Sequence, residues 1–396
     1  MSEAADVVIV GAGLAGLRAA QVLEAAGREV ILVDRSTRIG GRVSTRHIDG
    51  FTIDEGFQLL NPSYPELIAT GVLGELDLCA FPSSVVLRRD GRDLTVAIPY
   101  RDPFAALAGV GRRLVPLREL IPLVRLGWRV AHGDTVRFTN GVDQSTRSGL
   151  LAAGISPRTI DTVMMPFFQG VLLDPELETS WHYTQMVLRS FLRGAPAVPS
   201  RGMSALPAAL RRTLTRTTVR LAEEVHATGA NRVVTSLGEY EAAHVIDATN
   251  SAATTQWRSV TTWWFAAPAM SDARLHVDAD SPTIANMVNM SAAAASYAPP
   301  QSSLMAASVV GPYIRDHTTL VREQVARRYG LATTDLREII VTPVAHALPH
   351  LSRLATPRPV SLRDGVVMAG DATETPSIQG ALVSGRRAAQ FVVRSK

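Results

Sequence analysis

Three glycines near the N-terminus have the spacing of a phosphate-binding turn. Gly11, Gly13 and Gly16 follow the apolar run 6–10 and precede an alanine-rich segment. Gly11 permits a tight turn, Gly13 lets a pyrophosphate approach the backbone, and Gly16 lets the next helix pack on the strand. The free N–H groups and positive dipole end of that helix would face the phosphates. The pattern predicts a dinucleotide site.

A carboxylate stands where the second strand of such a unit would end. Residues 29–33 form another apolar run, and Asp34 follows them directly. An acidic side chain at this point accepts hydrogen bonds from a ribose hydroxyl. Strand, turn, helix and acidic residue are in register, so a βαβ unit is predicted. This fingerprint suits NAD and FAD equally.

Two further segments, more than 300 residues apart, place glycine beside polar residues. Residues 35–42 end in the turn Gly40-Gly41-Arg42, and residues 366–370 form an apolar run that ends at Asp371. A strand is predicted at 366–370, and Asp371 can accept hydrogen bonds from ribitol hydroxyls. A helix is predicted next, with residues small enough for its end to lie against a flat ring: Gly380, Ala381 and Gly385.

Taken together, these segments resemble the superfamily of flavin-containing amine oxidases, protoporphyrinogen oxidases and phytoene desaturases. In that family the Gly-Gly-Arg turn and the Gly-Asp strand end both touch FAD, and the last helix points its N-terminus at the flavin. The resemblance implies an FAD-dependent oxidoreductase. It implies these cofactor-binding residues: Gly11, Gly13, Gly16, Asp34, Arg35, Gly41, Arg42, Gly56, Val225, Gly370, Asp371, Ser377, Ile378, Gln379 and Ala381.

The same resemblance assigns particular contacts. The residue that matches Val225 contacts the adenine through its backbone, and the segment 54–58 passes under the ring and begins the substrate wall. Arg42 is expected to meet a phosphate or a ring carbonyl. Covalent flavins need a Cys, His or Tyr beside the ring, and Cys79 is far in sequence from both ring-facing segments. We therefore expect FAD to be held non-covalently.

Candidates for the substrate cavity are few. Phe57 and Gln58 follow Gly56, and His346 lies in the segment that runs past the cavity in related proteins. His346 and His350 have the spacing of a metal-binding pair, but Pro349 would break any helix that aligned them. No metal site is predicted, and no catalytic side chain is assigned, because FAD would carry the redox chemistry.

The reaction class follows from the C-terminal segment and from one missing residue type. The run Ser377-Ile378-Gln379-Gly380-Ala381 resembles desaturases and protoporphyrinogen oxidases, whose substrates are large and apolar. Polyamine-oxidase relatives hold a lysine that binds a water at flavin N5, whereas the only lysine here is Lys396. We expect hydride removal from a C–H bond of an apolar small molecule. Amine oxidation to an imine and hydrogen peroxide is the alternative.

Composition excludes several function classes. The net charge is +4 and basic residues occur in pairs rather than runs, so no nucleic-acid partner is expected. A single cysteine allows no intrachain disulfide and favours a reducing compartment. Strand one begins so early that no signal peptide is expected, and no apolar run has the roughly 20 residues of a membrane span. The expected location is cytoplasmic.

A peripheral membrane contact stays open. Residues 103–130 are apolar with interspersed arginines, which is typical either of an amphipathic helix on anionic lipid or of a surface helix pair. Oligomeric state is not indicated by the sequence.

The predicted fold class is α/β, with a doubly wound Rossmann-type FAD-binding domain and a smaller α+β substrate domain. With 396 residues, two domains are the natural expectation. The first is predicted to be discontinuous, from residues 1–78, 199–256 and 355–396; the second combines 79–198, helical in character, and 257–354, with strands. A non-catalytic binding protein, as GDP-dissociation inhibitors are, and a plain NAD dehydrogenase are the other readings.

Overall fold

The computed structural model describes residues 2–97, 115–133, 141–250, 255–354 and 359–395. An eight-stranded sheet has the parallel core expected of a dinucleotide-binding unit, in which Ser2–Val10 lies between Val30–Val33 and Glu239–Asp247. Residues 7–10 and 30–33 are buried along their whole length, which explains their continuous apolar runs. Its remaining strands are Thr218–Arg220, Val225–Thr228, Arg232–Thr235, Leu362–Arg363 and Val366–Met368. The α/β Rossmann-type fold is confirmed.

Two helices from opposite ends of the chain pack together beside this sheet. The first helix, Leu14–Ala25, and the last helix, Ile378–Arg394, approach so closely that a Cβ on Gly385 would lie 2.1 Å from the Ala15 carbonyl oxygen. Glu66 joins the same two helices, because its carboxylate accepts hydrogen bonds from Arg18 and Arg386. The N- and C-terminal segments are therefore brought to one place.

A seven-stranded sheet forms the second layer. It is antiparallel except for one parallel pair, Ser84–Arg89 with Leu275–Asp278. Its strands, in spatial order, are Arg337–Pro349, Trp257–Pro268, Ser302–Val310, Asn286–Asn289, Leu275–Asp278, Ser84–Arg89 and Arg92–Ala97. Two small sheets pair Thr45–Ile48 with Phe51–Asp54 and Leu78–Ala80 with Ala197–Pro199.

The described residues form eleven α-helices. They are Leu14–Ala25, Pro65–Ala69, Leu117–His132, Thr146–Ala152, Pro157–Thr159, Met165–Leu172, Trp181–Arg193, Ala205–Arg212, Met290–Ala293, His317–Tyr329 and Ile378–Arg394. None of the described helices is long and apolar enough to cross a bilayer.

One sequence expectation needs correction. The stretch 79–198 is not only helical, because the hairpin Ser84–Arg89 and Arg92–Ala97 turns at Asp90-Gly91, both with positive φ. Thr218–Arg220 and Val225–Thr228 are separate strands, and Ala222 between them has a φ of 56°. The helix Ala205–Arg212 precedes them, and Glu239–Asp247 is a single strand.

The structure describes only part of the segment 103–130, for which a membrane contact was considered. Residues 103–114 lie outside the described residues, and Leu117–His132 is a helix despite Pro122 inside it. Four apolar side chains on it, Leu117, Ile121, Val124 and Trp128, are 66–77% exposed. Their spacing puts them on one helix face, beside the exposed Arg118 and Arg125.

The proposed boundaries of the two domains stay predictions.

Candidate active site

A cavity of about 1500 Å³ is lined by residues from both large sheets. One part of it is glycine-rich and polar, with residues from the chain segments 10–15, 33–43, 224–228, 247–250 and 370–381. The other part is apolar, with residues from the seven-stranded sheet and from the helices Met165–Leu172 and Trp181–Arg193. The two parts suggest two occupants.

The first glycine turn opens onto the polar part. A Cβ built on Gly13 would have no protein atom within 4 Å, although Gly13 lines the cavity. The helix Leu14–Ala25 begins there, with Gly13 as N-cap and no side chain capping its first N–H groups. Gly16 does not reach the cavity, since its Cα lies against the Gly11 carbonyl. Its role is helix–strand packing, as its place in the motif predicts.

Asp34 stands at the end of the second strand with its carboxylate held in place. One oxygen accepts from the Ala12 N–H at 2.6 Å and the other from the Ser36 N–H at 2.7 Å. Each carboxylate oxygen can accept more than one hydrogen bond, so the group remains able to bind a diol. Arg35 and Val225 line the same part of the cavity.

Asp371 and Arg42 come together from opposite ends of the chain. The Arg42 guanidinium donates to the carboxylate of Asp371, which is 4% exposed, and to the Ala347 carbonyl at 2.8 Å. It also lies 5.3 Å from the Trp257 ring centroid. Asn250 donates to the same carboxylate at 2.7 Å. Arg42 lines the cavity, and its contact with a phosphate or a ring carbonyl stays a prediction.

Gly370 has a conformational reason for being glycine. Its φ is 132°, and a Cβ there would lie 1.8 Å from the Asn250 side-chain oxygen. Gly41 lies across from Gly13, and Gly56, at φ 82°, faces Val344. All of these glycines line the cavity except Gly16.

The last helix begins at the cavity. Ser377 caps it by accepting from the Gly380 N–H at 2.9 Å, and Ser377, Ile378 and Ala381 line the wall. Gln379 departs from the expected role: it is not among the lining residues, and its side-chain oxygen accepts from the Glu66 N–H at 3.0 Å. It caps the short helix Pro65–Ala69 instead, because residues 377, 378 and 381 occupy the inward helix face.

The three residues predicted for the substrate cavity, Phe57, Gln58 and His346, all line the cavity, but their contacts differ. Phe57 packs edge-on to Phe81, with ring centroids 6.5 Å apart. Gln58 donates to the carbonyls of Arg42 and Glu55, which fixes its side chain. His346 is exposed and stacks against Trp257 at 5.1 Å, beside the polar part rather than within the apolar part.

Two tyrosines that the sequence did not single out stand beside the last helix. Tyr183 donates to the Pro376 carbonyl at 2.6 Å, and Tyr64 lines the same region of the cavity. Burial raises the pKa of Tyr64 to about 12, and burial raises the pKa of Tyr183 well above its usual range. Both phenols are therefore neutral donors at physiological pH.

Asn250, Tyr64 and Tyr183 could not be found from sequence, because none belongs to a motif. Asp247 ends the strand Glu239–Asp247, and its side chain accepts from the Thr249 N–H at 2.9 Å. His346 and His350 are not on a helix: the strand Arg337–Pro349 ends between them, and His350 accepts from Arg258. No group of three metal-ligating side chains occurs among the described residues.

A family description fits this chain over most of its length. The family of flavin-containing amine oxidoreductases matches residues 14–258. The chain belongs to this family. It is an FAD-dependent oxidoreductase, and FAD is its cofactor.

Individual relatives are similar over shorter stretches. A putrescine oxidase from Kocuria rosea is 42% identical over 91 residues, which are 22% of this chain and 19% of that protein. A carotenoid 3,4-desaturase from Haloarcula japonica is 45% identical over 51 residues, 13% of this chain and 10% of that protein. The matched stretch spans less than a fifth of each of these relatives.

Solved structures are similar over the whole chain. A protein from Exiguobacterium assigned as a protoporphyrinogen oxidase has a TM-score of 0.72 at 15% identity and covers 100% of both chains. A putrescine oxidase bound to putrescine has a TM-score of 0.69 at 15% identity, covering 99% of this chain and 100% of that one. At such identities the likeness shows the fold.

The residues of this flavin-family chain fit FAD. The open space at Gly13 and the uncapped start of the first helix suit a pyrophosphate. The oriented carboxylate of Asp34 suits a ribose, and Asp371 is a buried acceptor for hydroxyls of the ribityl chain. The start of the last helix would face the ring.

Proposed function

We propose that this oxidoreductase removes hydride from a C–H bond of an elongated apolar molecule, in the manner of a desaturase or dehydrogenase. The observation that carries this is the lining of the apolar part. Among its described residues, from the segments 57–64, 81–97, 163–192 and 275–308, none carries a charge. A charged substrate would lose its hydration there without gaining a partner.

Bound FAD supplies the hydride acceptor. The chain's own residues bind, orient and exclude water. Phe167, Val171, Leu188 and Phe191 cover the substrate from the helix side, while valines and leucines of the seven-stranded sheet face it from the other. Phe57, next to Gly56, closes the apolar part toward the glycine-rich part. Apolar walls of this kind hold a substrate by area and shape, and keep water from the reacting carbon.

Amine oxidation is the second candidate, and one observation favours it. Tyr64 and Tyr183 place two aromatic side chains beside the Pro376–Ile378 segment, where the sequence alone offered none. Putrescine oxidase is also among the similar proteins. Against it, the described lining of the apolar part holds no carboxylate for an ammonium, and no lysine precedes Lys396.

The deciding experiment is anaerobic mixing of the FAD-loaded protein with two panels of compounds. One contains primary, secondary and polyamines; the other contains polyprenoids and porphyrinogens. We expect bleaching of the flavin absorbance only with the second. Rapid bleaching by a simple amine, with hydrogen peroxide formed on admission of air, would establish amine oxidation instead. Absence of flavin, together with failed reconstitution, would favour a binding protein.

Non-covalent attachment has its own test. Cys79 is not among the residues that line the cavity. Acid precipitation of the purified holoprotein should release the yellow colour into the supernatant. Colour that stays in the pellet would show a covalent bond, and a tryptic map would then find it on a lining His or Tyr.

We also propose that the helix Leu117–His132 rests on an anionic membrane surface. Its exposed apolar face is flanked by exposed Arg118 and Arg125, the arrangement of an interfacial helix. The helix packs against Trp181–Arg193, whose other side lines the apolar part of the cavity. An apolar substrate dissolved in the bilayer would then lie close to its binding cavity.

A further inference from the structure

One row of side chains crosses all seven strands of the second sheet in continuous register. From one edge to the other it reads Thr342, Thr262, Ser308, Asn286, Val277, Leu87 and Leu94. Directly opposed residues in neighbouring strands point to the same face. Ser308, Asn286, Val277 and Leu87 of this row line the cavity. The row therefore forms part of its floor.

The three hydroxyl side chains of the row, Thr342, Thr262 and Ser308, all take part in hydrogen bonds, whereas Asn286 leaves its oxygen without one. Thr342 accepts from the Trp264 indole at 3.0 Å, and Thr262 and Ser308 join their hydroxyls at 3.1 Å. Asn286 is 5% exposed, yet its side-chain oxygen has no hydrogen-bond partner. The three other amides of the described lining all donate hydrogen bonds: Gln58 and Asn61 to two backbone carbonyls each, and Asn250 to Asp371.

Asn286 is a buried lining residue of the cavity. The helix Met165–Leu172 crosses above it at Gly170, where an added Cβ would come within 2.6 Å of the Asn286 side-chain nitrogen. Beyond Asn286 the row is apolar, through Val277 to Leu94. A buried amide oxygen without a partner destabilises the folded state, because it has lost its hydration without gaining a hydrogen bond. An unpaired polar atom in a cavity wall is explained when a bound ligand supplies the missing hydrogen bond.

We propose that Asn286 is a specificity residue whose side-chain oxygen accepts a hydrogen bond from a single hydroxyl group on an otherwise apolar substrate. The inference rests on the proposed function, because it takes the apolar part of the cavity as the substrate site. Asn286 is three strands from Val344, which faces Gly56, or roughly 14 Å at about 4.8 Å a strand. The full floor spans six strand spacings, roughly 29 Å. The substrate is therefore long, with its polar group near mid-length.

The test uses two C20 probes that differ by one hydroxyl: retinol and axerophthene, its hydrocarbon with methyl in place of hydroxymethyl. Fluorescence titration gives the dissociation constant of each for FAD-loaded parent, Asn286→Leu and Met287→Leu proteins. Met287 is the matched control, because it lies on the opposite face of the same strand. We expect the ratio of the two constants to shift about tenfold toward axerophthene in Asn286→Leu and to stay at the parent value in Met287→Leu.

A second readout separates recognition from a structural role. If Asn286 serves the substrate, Asn286→Leu should have a Tm equal to or above the parent's without ligand, because an unpaired polar group is removed; Asn286→Val provides the same comparison should leucine overfill the site. A fall in Tm with an unchanged probe ratio would overturn the inference while leaving the proposed function standing. Binding of neither probe to the parent would overturn both.

Discussion

At the scale of single residues, Gly13 is the position where a side chain and a ligand would compete most directly. Its Cβ site is empty of protein atoms and lies in the cavity wall at the start of the first helix. Gly74 offers the same empty Cβ site but is not a lining residue. A valine at either position restricts the backbone to the same degree, but only a valine at Gly13 would also occupy space that a ligand needs.

We expect Gly13→Val to purify with less than a tenth of the parent's FAD per chain, because the isopropyl group occupies the space of the pyrophosphate. Gly74→Val should retain nearly full occupancy. The A450/A280 ratio of the purified proteins measures both. A Gly13→Val protein with full FAD would contradict the placement of the dinucleotide.

Asp54 is a buried carboxyl two residues before Gly56. Burial raises its pKa to about 6, although hydrogen bonds from Thr45, the Met203 N–H and Tyr297 partly offset this. Because the folded state holds this proton more tightly than the unfolded state, Asp54 favours folding below pH 4. That contribution is lost as the pH rises through 6.

Asp54→Asn should remove this pH dependence. Relative to the parent, its free energy of unfolding should improve by about 2 kcal/mol between pH 4 and pH 7, since each pKa unit is worth about 1.4 kcal/mol and the loss has already begun at pH 4. Urea melts at both pH values give the difference. Asp364→Asn, at an exposed turn, is the control and should track the parent. Parallel curves for Asp54→Asn and the parent would refute the raised pKa.

At the scale of elements, the crossing of the first and last helices fixes the polar part of the cavity. Gly385 of the last helix lies against Ala15 of the first, and Glu66 ties Arg18 and Arg386 together beside them. The start of each helix lines the cavity. A change in the spacing between the helices therefore moves both helix ends.

We expect Gly385→Ala to lower the free energy of unfolding by about 1–3 kcal/mol, because its Cβ meets backbone that must shift. FAD occupancy should fall as well. Gly127→Ala is the matched control in another helix: its Cβ would meet nothing within 4 Å, and it should stabilise by up to about 1 kcal/mol. Thermal melts with and without FAD measure both effects. Equal melts for the two variants would show that the helices can separate freely.

At the scale of the whole molecule, the cavity and the exposed face of helix Leu117–His132 lie on either side of helix Trp181–Arg193. The chain has a net charge of +4 and a pI near 9.5, which favours approach to an anionic surface. A membrane contact here would place the apolar part of the cavity near the bilayer.

We expect the protein to co-sediment with vesicles of phosphatidylcholine and phosphatidylglycerol, and less with phosphatidylcholine alone. Ile121→Asp combined with Trp128→Asp should weaken binding at least tenfold, because two apolar anchors are lost. Leu237→Asp, an equally exposed leucine in a hairpin turn, should bind like the parent. Equal binding by all three proteins, or by none, would contradict the membrane proposal.

Local motifs carry the prediction of the dinucleotide half of the site. The turn at Gly11–Gly16, the acidic strand end at Asp34 and the Gly370-Asp371 pair each depend on residues close in sequence. The parallel strands, the helix after each turn and the helix that begins at Ser377 were predicted for the same reason. Such motifs encode backbone conformation and packing within a few residues, which is why sequence alone determines them.

Only the tertiary structure decided what surrounds the substrate. Tyr64 and Tyr183 meet beside Pro376 from three distant segments, and Gln379 turns away from the cavity to cap a helix. Asn286 could be recognised as a candidate ligand contact only because the strand register places it beside Ser308 and its side-chain oxygen has no hydrogen-bond partner. These features depend on contacts between residues tens to hundreds of positions apart. Such contacts are set by sheet register and helix packing, and no local pattern in the chain encodes either.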